Sequence, residues 1–322
     1  MSCDQLRILT WHVHGSYLYY LAHTGCEIIV PVEPGRRSGY TGLPAGRAWP
    51  QNLREVPSTE VRRLSFDCIL FQHKQHYLTD QYHLLSADQR RLPRIFLEHD
   101  PPREHPTDTR HVVDDPDVLL VHVSHFNDLM WDSGRTPTRV IEHGVTVPAV
   151  SYRGELPRGV IAVNGMPHRG RRVGRDLVDR LRRIVPLDLV GMESEAVGGL
   201  GEVPPPALPA FLARYRFFFN PTRYTSLNLA VCEAMAIGMP VVALATTEMV
   251  TVIEHGVSGF VSTNVDELVR AMELLIRWPD EARRIGAVAL ARARARFSIE
   301  RFAREWVETF ASVTGAAVRK SA

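Results

Sequence analysis

Glu233 stands in a stretch, residues 227–237, where it and Asn228 are the only residues that are not apolar. A carboxylate is expensive to bury in such surroundings. It needs a partner, either a core arginine or hydroxyl, or the hydroxyls or cationic group of a ligand. Just upstream, Thr225 and Ser226 are small and polar at the expected start of the same helix. Helix-start amides and the macrodipole suit an anion there, a phosphate above all. A second cluster, Asn164-Gly165-Met166-Pro167-His168-Arg169-Gly170-Arg171-Arg172, puts three guanidinium groups among glycines directly after an apolar run. Forked guanidinium contacts could grip a diphosphate, although such a cluster can also be a solvated face. Histidines recur in pairs, His12/His14, His73/His76 and His122/His125. With no third ligand in register, no metal site is expected.

Positioning these groups requires buried strands. Residues 217–219 and 240–244 are short apolar runs of the kind found in parallel sheets covered on both faces. The helix between them can be capped by Thr225 or Ser226 and stopped by Gly238 and Pro240. The first half predicts strands at 7–13, 26–32, 68–72, 94–98, 118–123 and 139–142, with helices at 15–24 and 77–91. Residues 31–50, rich in proline and glycine, read as an excursion over the sheet's carboxyl edge. A composition shift at 148–157 marks a linker, and alternation restarts with strands at 159–163 and 187–190 and helices at 174–185, 207–215, 265–277, 280–297 and 298–313. Two α/β domains follow, 1–150 and 151–297, each a Rossmann-like doubly wound sheet. Phe302, Trp306 and Phe310 form an apolar stripe expected to pack. Ligands of open parallel sheets sit at strand carboxyl ends, which here present His12, His14, Gly15, His73, Lys74, Glu98, His99, Asp100, His143, Gly144, residues 164–170 and residues 222–228.

At 322 residues and 45% hydrophobic, the chain can build two sizeable cores. Only Lys74 and Lys320 among the 38 basic residues are lysines, and 36 acids leave a formal charge of +2, which argues against general nucleic-acid binding. Cys3, Cys26, Cys68 and Cys232 form no C-x-x-C pair and read as buried thiols of a reducing, cytoplasmic compartment. No apolar run is long enough to span a membrane and no leader pattern opens the chain, so it reads as soluble and unprocessed. The arginine-rich stretch 281–297 could make weak peripheral contact with anionic lipid, but its intervening alanines favour a solvated helix. Dinucleotide, phosphate-loop and serine-hydrolase motifs are absent from the sequence.

The run from Tyr224 to Val242, YTSLNLAVCEAMAIGMPVV, resembles the donor-site signature of glycosyltransferase family 4 and its GT-B relatives. His99, Val123-Ser124, Ile141-x-x-Gly144-Val145 and Glu254-x-Gly256-x-x-Gly259-Phe260 match in the same order, so the resemblance spans most of the chain. It implies a GT-B fold, two Rossmann-like domains facing a central cleft, with the C-terminal segment 298–322 crossing back to the first. It also implies retaining sugar transfer from a UDP- or GDP-type nucleotide-sugar to a glycan, lipid-linked or small-molecule acceptor, without metal or other cofactor. By position, Glu233 would accept from both ribose hydroxyls. The amides of Ser226, Leu227, Asn228 and Leu229 would hold the distal phosphate or sugar. Arg169, with Arg171 or Arg172, would meet the diphosphate. His99 would line the reaction centre, and Gly15 would let the backbone approach the diphosphate.

Two departures matter. Asn164 stands where the family usually has an arginine, and Thr225 stands where it has its first glutamate. A hydroxyl makes fewer bonds to a sugar and cannot favour developing positive charge. Three readings follow: an unusual donor sugar, a compensating acid such as Glu98 or Asp100, or lost transfer. The alternatives are therefore a nucleotide-sugar-binding protein without transferase activity and a GT-B-fold epimerase using Glu98, His99 and Asp100.

Overall fold

The computed structural model describes residues 6–35 and 37–317. The chain divides into two compact units, one of Met1–Gly144 with Ile299–Ala322, the other of Val145–Ser298. Unit 1 carries β1 (Arg7–Thr10), β2 (Glu27–Val32), β3 (Leu53–Pro57), β4 (Cys68–Phe71), β5 (Arg94–Glu98), β6 (Val118–His122) and β7 (Thr138–Val140). They form one parallel sheet in the order β3-β2-β1-β4-β5-β6-β7. Unit 2 carries β8 (Leu156–Ala162), β9 (Leu187–Val190), β10 (Tyr215–Asn220), β11 (Val241–Leu244) and β12 (Gly259–Ser262), parallel in the order β12-β11-β10-β8-β9. The strands read as continuous apolar runs because helices cover parallel sheets on both faces, and all of β4, β10 and β11 is buried.

Several sequence expectations change. The expected helix at 77–91 is a π-type turn His76–Asp80, a short helix Gln81–Leu84 and a 3-10 turn Gln89–Arg91. Leu85 breaks it in extended conformation, and Ser86 then starts a local turn in which its hydroxyl accepts from Gln89 and Gln89 Oε1 accepts from its amide. The edge strand β3 has no expectation at all, since its pattern of buried Leu53 and Val56 among exposed polar residues is too sparse to announce a strand. The expected linker at 148–157 runs into β8, which starts at Leu156. Cys26 is disulfide-bonded, unlike the thiols Cys68 and Cys232, so the expectation of buried thiols throughout fails.

The helix Ile299–Thr314 belongs to unit 1. Its aromatic stripe is buried, with Phe302, Trp306 and Phe310 each at most 1% exposed. Phe302 fills the space a side chain on Gly144 would need, 2.2 Å from an added Cβ. No described helix is long and apolar enough to cross a membrane.

Candidate functional site

In unit 2 the strand order reverses between β8 and β10, the kind of switch point where open parallel sheets take ligands. The loops leaving these two strands are locked together. Arg223 lays a fork on Asp176, Nη1 to Oδ1 at 2.6 Å and Nη2 to Oδ2 at 2.8 Å, and Nη1 donates to the Arg171 carbonyl at 2.7 Å. The amides of Arg223 and Tyr224 donate to the Arg172 carbonyl at 2.8 and 3.3 Å. The fork holds the Asp176 carboxyl below its ordinary range. Gly174, at φ 83°, passes so close that an added Cβ would lie 2.3 Å from the Pro221 carbonyl oxygen. Only glycine serves at that crossing.

The buried helix runs Leu229–Ile237 and ends as the sequence requires, on Gly238 at φ 90°, with the Met239 amide bonded to the Ala234 carbonyl at 3.0 Å. Its start differs from the expectation. Asn228, and neither Thr225 nor Ser226, caps the helix by accepting from the Ala230 amide at 3.0 Å. Asn228 can do so because Asn220, buried at the end of β10, accepts from its Nδ2 at 3.3 Å and from the Thr222 amide at 3.4 Å. The cap occupies one first-turn amide, so an anion at this end has that donor removed. Ser226 and Leu227 are buried, while Thr225, Leu229 and Glu233 are half-buried. Glu233 is thus partly accessible between the buried Cys232 and Ala234, a milder burial than the sequence suggests.

The arginines separate. Arg171 pairs with Asp176 at 2.7 Å and is 75% exposed. Arg169 is half-buried and its Nη1 donates to the Asn164 carbonyl at 3.3 Å, across Gly165 in the left-handed region. Arg172, half-buried, offers its carbonyl to the neighbouring loop. Asn164 accepts the Met192 amide at 2.9 Å, tying the loops after β8 and β9.

Unit 1 reverses between β1 and β4. Here the structure gathers His14, Tyr17, Gln72, His99 and His143 from four separate stretches, His14 and Tyr17 sharing one helix start. His99 meets the ring of His14 at 4.3 Å and that of Tyr17 at 4.9 Å, and Tyr17 meets His143 at 5.6 Å. Burial, with His14 and His143 adding repulsion, holds His99 well below the ordinary histidine range, so it is neutral at pH 7. The C-terminal helix braces the cluster. Trp306 Nε1 donates to the Tyr17 hydroxyl at 3.0 Å, and Arg301 Nη2 donates to the carbonyls of Glu142 at 3.0 Å and His143 at 2.7 Å. Gly15 opens the helix Gly15–Leu21, and a Cβ there would stand 3.1 Å from His12 Nε2. Residues 37–50 fold back on this edge, where Thr41 bonds His12 Nδ1 at 2.9 Å and Arg47 lies 4.1 Å over the Tyr19 ring.

The two acids weighed as substitutes for the missing glutamate are occupied. Glu98 takes the Asp100 amide at 2.8 Å and His111 Nε2 at 3.2 Å, while Asp100 pairs with Arg103. Sequence reasoning missed Arg223, Asp176 and Gln72. Arg223 lies within three residues of Ser226, yet nothing in its spacing announces a partner 47 positions away.

Residues 171–308 match a family model described as Glycosyl transferase-like. No curated protein matches. Among solved structures, sucrose-phosphate synthase from Thermosynechococcus elongatus is similar at TM-score 0.72 and 16% identity, covering 97% of this chain and 100% of that one. Anabaena Alr3699/HepE in complex with UDP is similar at 0.67 and 17%, covering 97% and 100%, and has also been solved with UDP-glucose. AviGT4, a glycosyltransferase involved in avilamycin A biosynthesis, is similar at 0.60 and 17%, covering 98% and 100%. The chain thus has the two-unit GT-B fold of glycosyltransferase structures, with a glycosyl transferase-like domain over residues 171–308.

Proposed function

We propose that the protein is a glycosyltransferase that moves a sugar from a nucleotide-diphosphate donor, of UDP or GDP type, with retention and without a metal. The observation that carries the reading is the switch point of unit 2. Two loops fastened by Arg223 and Asp176 flank a buried helix that carries one half-buried carboxylate, Glu233, and we assign that carboxylate to the ribose of the donor. A carboxylate accepting two hydroxyls does this job well. The solved UDP and UDP-glucose complexes of a protein with the same fold support a nucleotide-sugar as donor.

Arg169, with Arg171 or Arg172, meets the diphosphate, with the amides of Ser226, Leu227, Asn228 and Leu229 on the distal phosphate or sugar. Cationic groups stabilise a departing diphosphate when its charge grows in the transition state. In unit 1, His99 lines the reaction centre, Gly15 admits the diphosphate, and His14 with the loop 31–50 faces a glycan, lipid-linked or small-molecule acceptor. The reaction runs in the cytoplasm.

Calorimetry with a panel of nucleotides and nucleotide-sugars tests this. Wild type should bind a UDP- or GDP-sugar in the presence of a chelator, and Glu233→Ala should lose affinity by tens-fold, as expected when two charge-assisted bonds go. Undiminished affinity in the variant removes Glu233 from the ribose. Thr225 supports a second reading, a binding protein without turnover, which donor hydrolysis or transfer by the purified chain would exclude.

A further inference from the structure

We propose that Gln72 is a positioning residue that locks His99 as the tautomer protonated on Nε2, leaving Nδ1 an acceptor that cannot donate. The argument rests on which atoms can give a proton. Thr10 Oγ1 donates to the Leu70 carbonyl at 2.8 Å, so that hydroxyl's one proton is committed. The Gln72 carboxamide touches Thr10 Oγ1 at 2.8 Å and the Trp11 carbonyl at 3.1 Å, and both must therefore accept. This fixes the amide: its nitrogen faces β1 and its oxygen faces His99. That oxygen lies 3.0 Å from His99 Nε2, and an amide oxygen can only accept, so Nε2 carries the proton.

The lock is rigid because its parts are. Gln72 follows β4, His99 follows β5 and Thr10 ends β1, three adjacent strands at the switch point of unit 1. Gln72 is 5% exposed and Thr10 is fully buried. The titratable groups facing the His99 ring are His14, His143 and Tyr17. Burial and the two imidazoles keep the ring neutral at pH 7, and burial pushes the Tyr17 hydroxyl up, so it stays neutral too.

The consequence rests on the glycosyltransferase reading. Two roles are open to a histidine beside a donor sugar: receiving a bond from a sugar hydroxyl, or donating to the departing phosphate oxygen. An Nδ1 without a proton performs the first and is barred from the second. His99 thereby selects the sugar, and the arginines of unit 2 bear the leaving group.

The tautomer is read directly from two-bond hydrogen–nitrogen correlation spectra of the full chain labelled with nitrogen-15 histidine, with His99 assigned by the signals lost in His99→Gln. Wild type at pH 7 should show His99 protonated at Nε2 and bare at Nδ1. Gln72→Met, nearly isosteric but a poor acceptor, should move both nitrogens toward averaged positions. It should also lower kcat for donor turnover about five-fold, the worth of one net hydrogen bond. A wild-type His99 protonated at Nδ1, or a pattern unchanged by Gln72→Met, overturns the proposal. If the variant fails to fold, the wild-type spectrum decides alone. No substrate enters the spectra, so their outcome stands apart from whether the protein transfers sugars.

Discussion

Replacing His122 with leucine should remove a defined share of the protein's acid sensitivity. His122 ends β6 with no exposed surface, and neither ring nitrogen has a hydrogen-bond partner among the described residues. Asp128 Oδ1 approaches no closer than 3.7 Å. Burial pushes the imidazole from 6.5 down to about 4, with Asp128 opposing the shift and His111 adding to it. The folded state therefore refuses a proton that the unfolded chain accepts below 6.5. Stability from this site is fully present above that value and drains away as pH falls toward 4. Between about pH 8 and about pH 5 the loss from one such site is about 2 kcal/mol. His76, stacked on Trp11 and also pushed down to about 4, should contribute a similar loss. Urea midpoints followed by tryptophan fluorescence suit the assay, because four of the five tryptophans, Trp11, Trp49, Trp131 and Trp306, lie in unit 1, with Trp278 in unit 2. The His122→Leu chain should match or exceed wild type near neutrality, since a buried imidazole without bonds costs free energy, and its midpoint should fall less on acidification. An unchanged pH slope refutes the reasoning. So does a loss above about 1 kcal/mol at pH 8, which would mean that His122 has a bonded partner when folded.

Asp176→Asn should release one arm of the Arg223 fork and so loosen the lock between the two loops, weakening diphosphate-containing ligands several-fold in calorimetry while melting changes by about 1 kcal/mol or less, as for partly exposed pairs. Gly174→Ala should cost more, on the order of 1–3 kcal/mol in denaturant unfolding, because a Cβ there meets the Pro221 carbonyl and the backbone sits at φ 83°. Its secondary structure by circular dichroism should persist, with the loss falling on ligand affinity.

The sheets were the most legible part of the sequence. Runs such as FFF at 217–219 and VVAL at 241–244 are buried on both faces, and apolar composition alone announces them. The helix Val265–Arg277 matches its expected bounds residue for residue, since Asn264 caps it and its apolar stripe is regular. Where polar side chains set the backbone, reading failed. The cap of the Leu229–Ile237 helix passes to Asn228 because Asn220 holds the other end of its amide, a pairing eight positions apart that no local propensity encodes. Likewise Glu233 and His99 could be singled out by their surroundings in sequence, but Asp176, Arg223 and Gln72 act through partners 27 to 62 positions distant. Long-range polar pairs become visible only when strands bring their loops to one edge.

The assignment of the Ile299–Thr314 helix to unit 1 has a consequence for biosynthesis. Unit 2 is an insertion: the chain leaves unit 1 after Gly144 and regains it at Ile299. The two ends of the inserted unit meet, for Val145 bridges Ser298 and its amide donates to the Phe297 carbonyl at 2.9 Å. On the ribosome, all of unit 2 is made before the segment that carries Trp306 and Arg301. Until then Tyr17 lacks its indole donor and His143 its guanidinium, so unit 1 waits for its own last helix. Because entry and exit of the insertion are neighbours, a chain joined from Gly144 to Ile299 by a short linker has the geometry to complete unit 1 by itself.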